Sequence, residues 1–129
     1  MRDEFLPFSP PCLDDDEIAE VVDSLRSGWI TTGPKCRAFE ERFAARRESP
    51  AALALSSCTA ALHTALAVLG LGPGDEVITS CLTFCSTVSV IEHVGATPVL
   101  VDVEPDTLNM DPVAVAAAVT ERTRVILPV

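Results

Sequence analysis

Two stretches carry residue types that could hold a flat, phosphorylated ligand. In Ser56-Ser57-Cys58-Thr59-Ala60-Ala61 an apolar run gives way to a helical pattern. Small and hydroxyl side chains there let the backbone approach an anion, and the free amides of a first helical turn point at it. With no glycine in it, the stretch is not a P-loop, and Ser56 and Ser57 could equally serve only as helix caps. The second stretch is Thr79-Ser80-Cys81-Leu82-Thr83-Phe84. An aromatic ring at such a junction can stack on a planar ligand, though Phe84 could also be ordinary core.

Other candidates are weaker. Asp102, Glu104 and Asp106 form a D-x-E-x-D run, but Pro105 breaks the strand that would align the three acids, so a turn with solvated carboxylates is expected rather than a metal site. Five cysteines, at 12, 36, 58, 81 and 85, fit no zinc spacing and are expected to be free, buried thiols. No metal is expected. The only lysine is Lys35, in a Gly-Pro-Lys turn, and as an exposed amine with an ordinary pKa it is expected to take no part in catalysis.

These residues need elements to position them. Asp14 to Ser27 reads as an amphipathic helix, with Ile18, Val21, Val22 and Leu25 at helical spacing, acids at its start and Gly28 after its last turn. Trp29 to Pro34 has turn chemistry, and a second helix carries Phe39 and Phe43 on one face. From residue 51 onward short apolar runs alternate with helical patterns. Strands are predicted at Ala52–Leu55, Glu76–Thr79, Thr97–Val103 and Arg124–Val129. The apolar run of Thr97–Val103 predicts a strand covered on both faces. Between the strands, Thr59–Leu69 is apolar almost all round and predicts a buried helix, Phe84–Val94 predicts another, and Asp111-Pro112 is a helix start. Such alternation predicts an α/β fold with a mostly parallel sheet and right-handed crossovers, in an order the pattern does not fix. Residues 1–50 are expected to form a helical segment with a loop, and 51–129 the first part of a larger sheet domain. A last strand running to Val129 without a cap suggests part of a longer chain.

Composition bounds the function. The 129 residues are 48% hydrophobic, enough for a core, and hold 19 acids against 9 bases for a net charge of −10. That balance disfavours nucleic acid. No run approaches the roughly 18 apolar residues of a membrane span, and the charged Arg2, Asp3 and Glu4 argue against a secretory signal. A cytoplasmic location is expected.

Taken in order, seven stretches resemble the DegT/DnrJ/EryC1/StrS family of sugar aminotransferases over nearly the whole chain. They are Gly28-Trp29-Ile30-Thr31-Thr32-Gly33-Pro34 with Phe39-Glu40, Ser56-Ser57-Cys58-Thr59-Ala60-Ala61-Leu62, Gly74-Asp75-Glu76-Val77-Ile78, Thr83-Phe84, Gly95-Ala96-Thr97-Pro98-Val99, Val101-Asp102-Val103, and Arg122-Thr123-Arg124-Val125-Ile126. The resemblance implies the N-terminal part of an aspartate-aminotransferase-type large domain, with pyridoxal 5′-phosphate as cofactor. It implies that Ser57, Cys58 and Thr59 hold the phosphate and that Phe84 stacks on the pyridine ring. Cys58 stands where the family commonly has glycine, a change that matters only if this residue needs a left-handed backbone. Thr31, Thr32 and Gly33 match a loop near the substrate and the dimer interface, which implies a homodimer with shared sites. The implied reaction passes an amino group, usually from glutamate, to a keto group of a nucleotide-linked sugar. The family's cofactor-bearing lysine and its pyridinium aspartate would lie beyond Val129, so no catalytic residue is expected within the chain, and the chain alone is expected to be inactive. Two alternatives are a pyridoxamine-phosphate-dependent dehydratase of the same family, with histidine in place of that lysine, and a non-catalytic dimerisation remnant.

Overall fold

The computed structural model describes residues 5, 7 and 9–129, so Arg2, Asp3 and Glu4 lie outside the described residues. The chain divides into two compact units, Met1–Ala54 and Leu55–Val129.

The first unit holds α1 (Asp15–Ser27) and α2 (Pro34–Arg46). α1 starts where the acidic run predicts, because Asp14 and Glu17 form a capping box. The Asp14 carboxylate accepts from the Asp16 amide at 3.0 Å, and the Glu17 carboxylate accepts from the Asp14 amide at 2.9 Å. The helix ends at Gly28, whose φ of 73° places it in the left-handed region that costs glycine least. Ile18, Val21, Val22 and Leu25 form the expected stripe, and all four are exposed. α2 opens with Pro34 at its first turn and pairs Phe39 with Phe43 one turn on, ring centroids 6.0 Å apart.

In the second unit, α3 (Cys58–Val68), β1 (Glu76–Ser80), α4 (Cys85–His93), β2 (Thr97–Val101), α5 (Pro112–Ala118) and β3 (Thr123–Leu127) follow in order. The sheet is parallel, in the order β2-β1-β3. All five residues of β1 are buried, although three of them (Glu76, Thr79 and Ser80) are polar. Position in the sheet decides this burial more than residue type does, because the central strand is flanked on both sides. Thr79 meets the cost by donating its hydroxyl to the Leu127 carbonyl at 2.8 Å. Glu76 meets it with three bonds. Its Oε1 accepts from Arg122 Nη2 at 2.6 Å and Nε at 2.8 Å, and its Oε2 accepts from the Thr120 hydroxyl at 2.6 Å. The core joins Leu66, Leu71, Val77, Val90, Ile91 and Ala96, each large apolar side chain contributing about 1.5–3 kcal/mol.

Four expectations need correction. Ala52–Leu55 is not a strand: it has no ladder partner among the described residues, and the Ala54 amide instead donates to Glu40 Oε1 at 2.8 Å. α3 is not a buried helix. Leu66 is its one fully buried residue, and Val68 is 81% exposed, since only one stripe of the helix meets α4 and the core. β2 is not covered on both faces: as an edge strand it buries Val101 and leaves Leu100 exposed. The last strand ends at Leu127 and does not run to Val129.

Candidate functional site

Within the second unit, α4 links the parallel strands β1 and β2, so it runs back along the sheet and opens at the carboxyl end of β1. α3 leads into the start of β1 through the turn at 69–75 and opens at that same edge. The two helices pack together, and Leu62 and Leu66 of α3 share one hydrophobic cluster with Val90 and Ile91 of α4. Open α/β sheets collect ligands at this edge.

At the start of α3, Ser57 is the N-cap, and its hydroxyl accepts from the Ala60 amide at 3.1 Å. The Ala61 amide already binds the Ser57 carbonyl at 3.0 Å. That leaves the amides of Cys58 and Thr59 without an acceptor among the described residues. Both residues are exposed. The arrangement offers two backbone donors, one hydroxyl and the positive end of an 11-residue helix. Positive φ among non-glycine residues occurs only at Glu48 and Leu108 of the described residues, so Cys58 needs no left-handed backbone and keeps its amide available. Ser57 contributes through its cap, because its oxygen is already engaged.

Phe84 is the N-cap residue of α4 and is 75% exposed. It is therefore not core; its ring stands open at the edge that α3 also faces. Below it, Thr83 donates its hydroxyl to the buried Thr87 at 2.8 Å, and the Leu82 amide donates to the Ser80 hydroxyl at 3.1 Å. The turn holding Phe84 is thus braced from within.

One contact at this edge carries no signal in the sequence. The Cys81 thiol donates to Asp102 Oδ1 at 3.5 Å, and its desolvation, with Asp102 next in effect, pushes it above the usual thiol range. No spacing rule joins positions 81 and 102; only the β1–β2 pairing does, through the Cys81 amide on the Val101 carbonyl at 2.9 Å. All five cysteines are free as expected, but none is buried: Cys36 is half-buried, and Cys12, Cys58, Cys81 and Cys85 are exposed. Cys58 and Cys85 stand at the first positions of helices and Cys81 at a strand exit, places where the chain leaves the core. Glu104 and Asp106 lie on a turn closed by the Val103–Met110 bridge, and Asp102 stands just before it. Asp102 caps the Val103 amide at 2.8 Å, and Glu104 accepts from Thr107 at 2.9 Å. Among the described residues no three or more His, Cys, Asp or Glu are grouped to hold a metal.

In the first unit, Thr31 and Thr32 are exposed and Gly33 is half-buried. The loop has an internal packing role that its irregular sequence hides. The Trp29 indole donates to the Thr32 carbonyl at 2.9 Å and fills the space beside Gly33, where a Cβ would lie 1.9 Å from Nε1. Trp29, Ile30, Thr31, Gly33 and Lys35 line a cavity of about 440 Å³. Lys35 Nζ is held by Glu20 and by Asp23 Oδ2 at 2.9 Å, and these partners, Glu20 first, raise its pKa.

Comparison with known proteins gives one consistent family. The sequence model of the DegT/DnrJ/EryC1/StrS aminotransferase family matches residues 11–129. The spore coat polysaccharide biosynthesis protein SpsC of Bacillus subtilis is 54% identical over 128 residues, covering 99% of this chain and 33% of its own. A Streptococcus pneumoniae protein described as a sugar aminotransferase, solved in apo, PMP and PLP forms, is 53% identical. In its PMP form it superposes with a TM-score of 0.87 over 95% of this chain and 31% of its own. An aminotransferase of Psychrobacter cryohalolentis is 40% identical, with a TM-score of 0.85 over 95% of this chain and 32% of its own. The chain spans about a third of the length of these relatives.

Proposed function

The chain belongs to the DegT/DnrJ/EryC1/StrS aminotransferase family, and from that premise we propose that it forms the N-terminal part of a pyridoxal-phosphate-dependent sugar aminotransferase. Its fold is accordingly the first portion of an aspartate-aminotransferase-type large domain, with 51–129 supplying the cofactor platform and 1–50 a helical segment and interface loop. The observation that carries the reading is the pairing, at one sheet edge, of two unsatisfied α3 amides with an exposed aromatic ring at the start of α4.

These residues fit the cofactor. The Cys58 and Thr59 amides and the Thr59 hydroxyl would bind its phosphate, favoured by the α3 dipole. Ser57 holds the first turn open for them by satisfying Ala60. Phe84 would cover one face of the ring and exclude water there. When bound, pyridoxal phosphate supplies the electron sink that lets an amino group pass between donor and acceptor. Its use is supported by the PLP and PMP forms of the S. pneumoniae relative.

The proposed reaction aminates a keto group on a nucleotide-linked sugar, with glutamate as donor. The sugar is supported by the names of SpsC and the S. pneumoniae protein; the nucleotide and the donor rest on the family resemblance. The proposed assembly is a cytoplasmic homodimer in which Thr31, Thr32 and Gly33 approach the partner subunit's cofactor. The 129 residues alone are proposed to turn nothing over, because their single amine side chain is committed to Glu20 and Asp23. The test is to express the protein at the relatives' length and titrate pyridoxal phosphate by absorbance. Glutamate and a nucleotide-linked keto sugar are then supplied and the aminated product followed by mass spectrometry. Cofactor binding unaltered by Thr59→Ala and Phe84→Ala together would overturn the site.

A further inference from the structure

The α3–α4 pair carries a second feature, away from the cofactor edge. His63 of α3 and His93, the last residue of α4, bring their rings to 5.9 Å between centroids at 60° between planes. Both residues are exposed, and neither ring has a hydrogen-bond partner among the described residues. The two lie thirty residues apart in sequence, so no spacing pattern marks them; the packing of the helices creates the pair.

We propose that His63 and His93 form a two-histidine site that takes one late first-row divalent ion, Cu²⁺ most tightly, and so ties α3 to α4. The geometry suits a shared ion. Metal–nitrogen bonds of about 2.0–2.1 Å put each ring centroid roughly 3.2 Å from the metal. Two such rings stand about 5.2 Å apart at a tetrahedral angle and about 6.4 Å apart when opposed. The observed 5.9 Å falls between these limits, so the backbone spacing admits a shared ion once the rings turn from their present edge-to-face contact to aim one nitrogen each at it. Imidazole suits copper, nickel and zinc, with copper highest in the affinity order. Water would complete the coordination, because among the described residues no third protein ligand is grouped with the pair. The site does not depend on the cofactor reading, but its consequence touches it. α3 opens with Cys58-Thr59 and α4 follows Phe84, so an ion here would fix the relative positions of the helices that carry both.

The test uses the chain with its five free thiols first capped by iodoacetamide, so that sulfur does not compete for the probe. Calorimetric titration with Cu²⁺ is expected to give one ion per chain, and His63→Ala or His93→Ala alone is expected to weaken binding at least tenfold. Two independent histidines would behave differently: each variant would lose part of the capacity and keep the affinity of what remains, and that result overturns the proposal. Both positions are exposed, so far-UV circular dichroism is expected to be unchanged in the variants. If a variant fails to fold, electron paramagnetic resonance of Cu²⁺ on the unmutated chain decides. Coupling to two imidazole nitrogens supports the site; coupling to one or none rejects it.

Discussion

On the proposed site, Phe84→Ala is expected to separate cofactor binding from folding. The ring is 75% exposed, and its residue has an ordinary extended backbone at φ −69° and ψ 140°, so alanine fits the same conformation. Truncating a side chain so far in solvent changes stability by no more than about 0.5 kcal/mol. The binding side of the ledger is larger. An aromatic stacking contact is worth about 0.5–1.5 kcal/mol beyond the area it buries, which weakens cofactor affinity by about two- to thirteen-fold. The assay is a pyridoxal phosphate titration of the relatives'-length protein, followed by absorbance, beside a urea unfolding curve for the cofactor-free form. The expected result is a shifted dissociation constant with a superimposable unfolding midpoint. A lowered midpoint with unchanged affinity would make Phe84 a packing residue and refute the argument.

Further outcomes follow from single contacts. Gly33→Ala would place a Cβ 1.9 Å from the Trp29 indole nitrogen and expel the ring. Since Trp29 is the only tryptophan, its fluorescence should shift to the red and quench more readily with iodide. An unmoved spectrum would show that the backbone yields instead. Ile91→Ala removes a fully buried side chain from the core and should cost about 2–5 kcal/mol in urea unfolding. The Thr120 hydroxyl, and after it Arg122, hold Glu76 below the usual carboxylate range. A depressed folded pKa gives stability that is present above the unfolded value and lost as pH falls through the folded one. The stability gap between the wild type and Glu76→Gln should therefore close on acidification below the ordinary glutamate range; a gap constant with pH would deny the charge a role. Glu20 and Asp23 keep Lys35 protonated, so borohydride reduction with pyridoxal phosphate should leave Lys35 unlabelled by mass spectrometry.

What could be read from the sequence divides along the range of the forces involved. Asp14–Glu17, Gly28 and Asp111-Pro112 marked helix ends because capping is settled within four residues; Asp111 accepts from the Val113 amide at 2.8 Å as its position implies. Ser57 and Phe84 were locatable for the same reason, each closing a local change of period. Burial was not locatable, because it depends on which strand takes the centre of the sheet. Glu-Val-Ile-Thr-Ser is less apolar than Thr-Pro-Val-Leu-Val, yet β1 is wholly buried and β2 is not. The central place is viable for a carboxylate only because Thr120 and Arg122, more than forty residues on, converge on Glu76. The same long-range pairing brings Cys81 to Asp102 and leaves Ala52–Leu55 without a ladder. It also implies a division of labour across the sheet. Glu76, Thr120 and Arg122 lock the amino edge, while at the carboxyl edge the Cys58 and Thr59 amides have no acceptor among the described residues and the Phe84 ring is exposed. A site that exchanges ligands needs donors the fold does not use, and on the proposed reading the Cys58 and Thr59 amides are those donors.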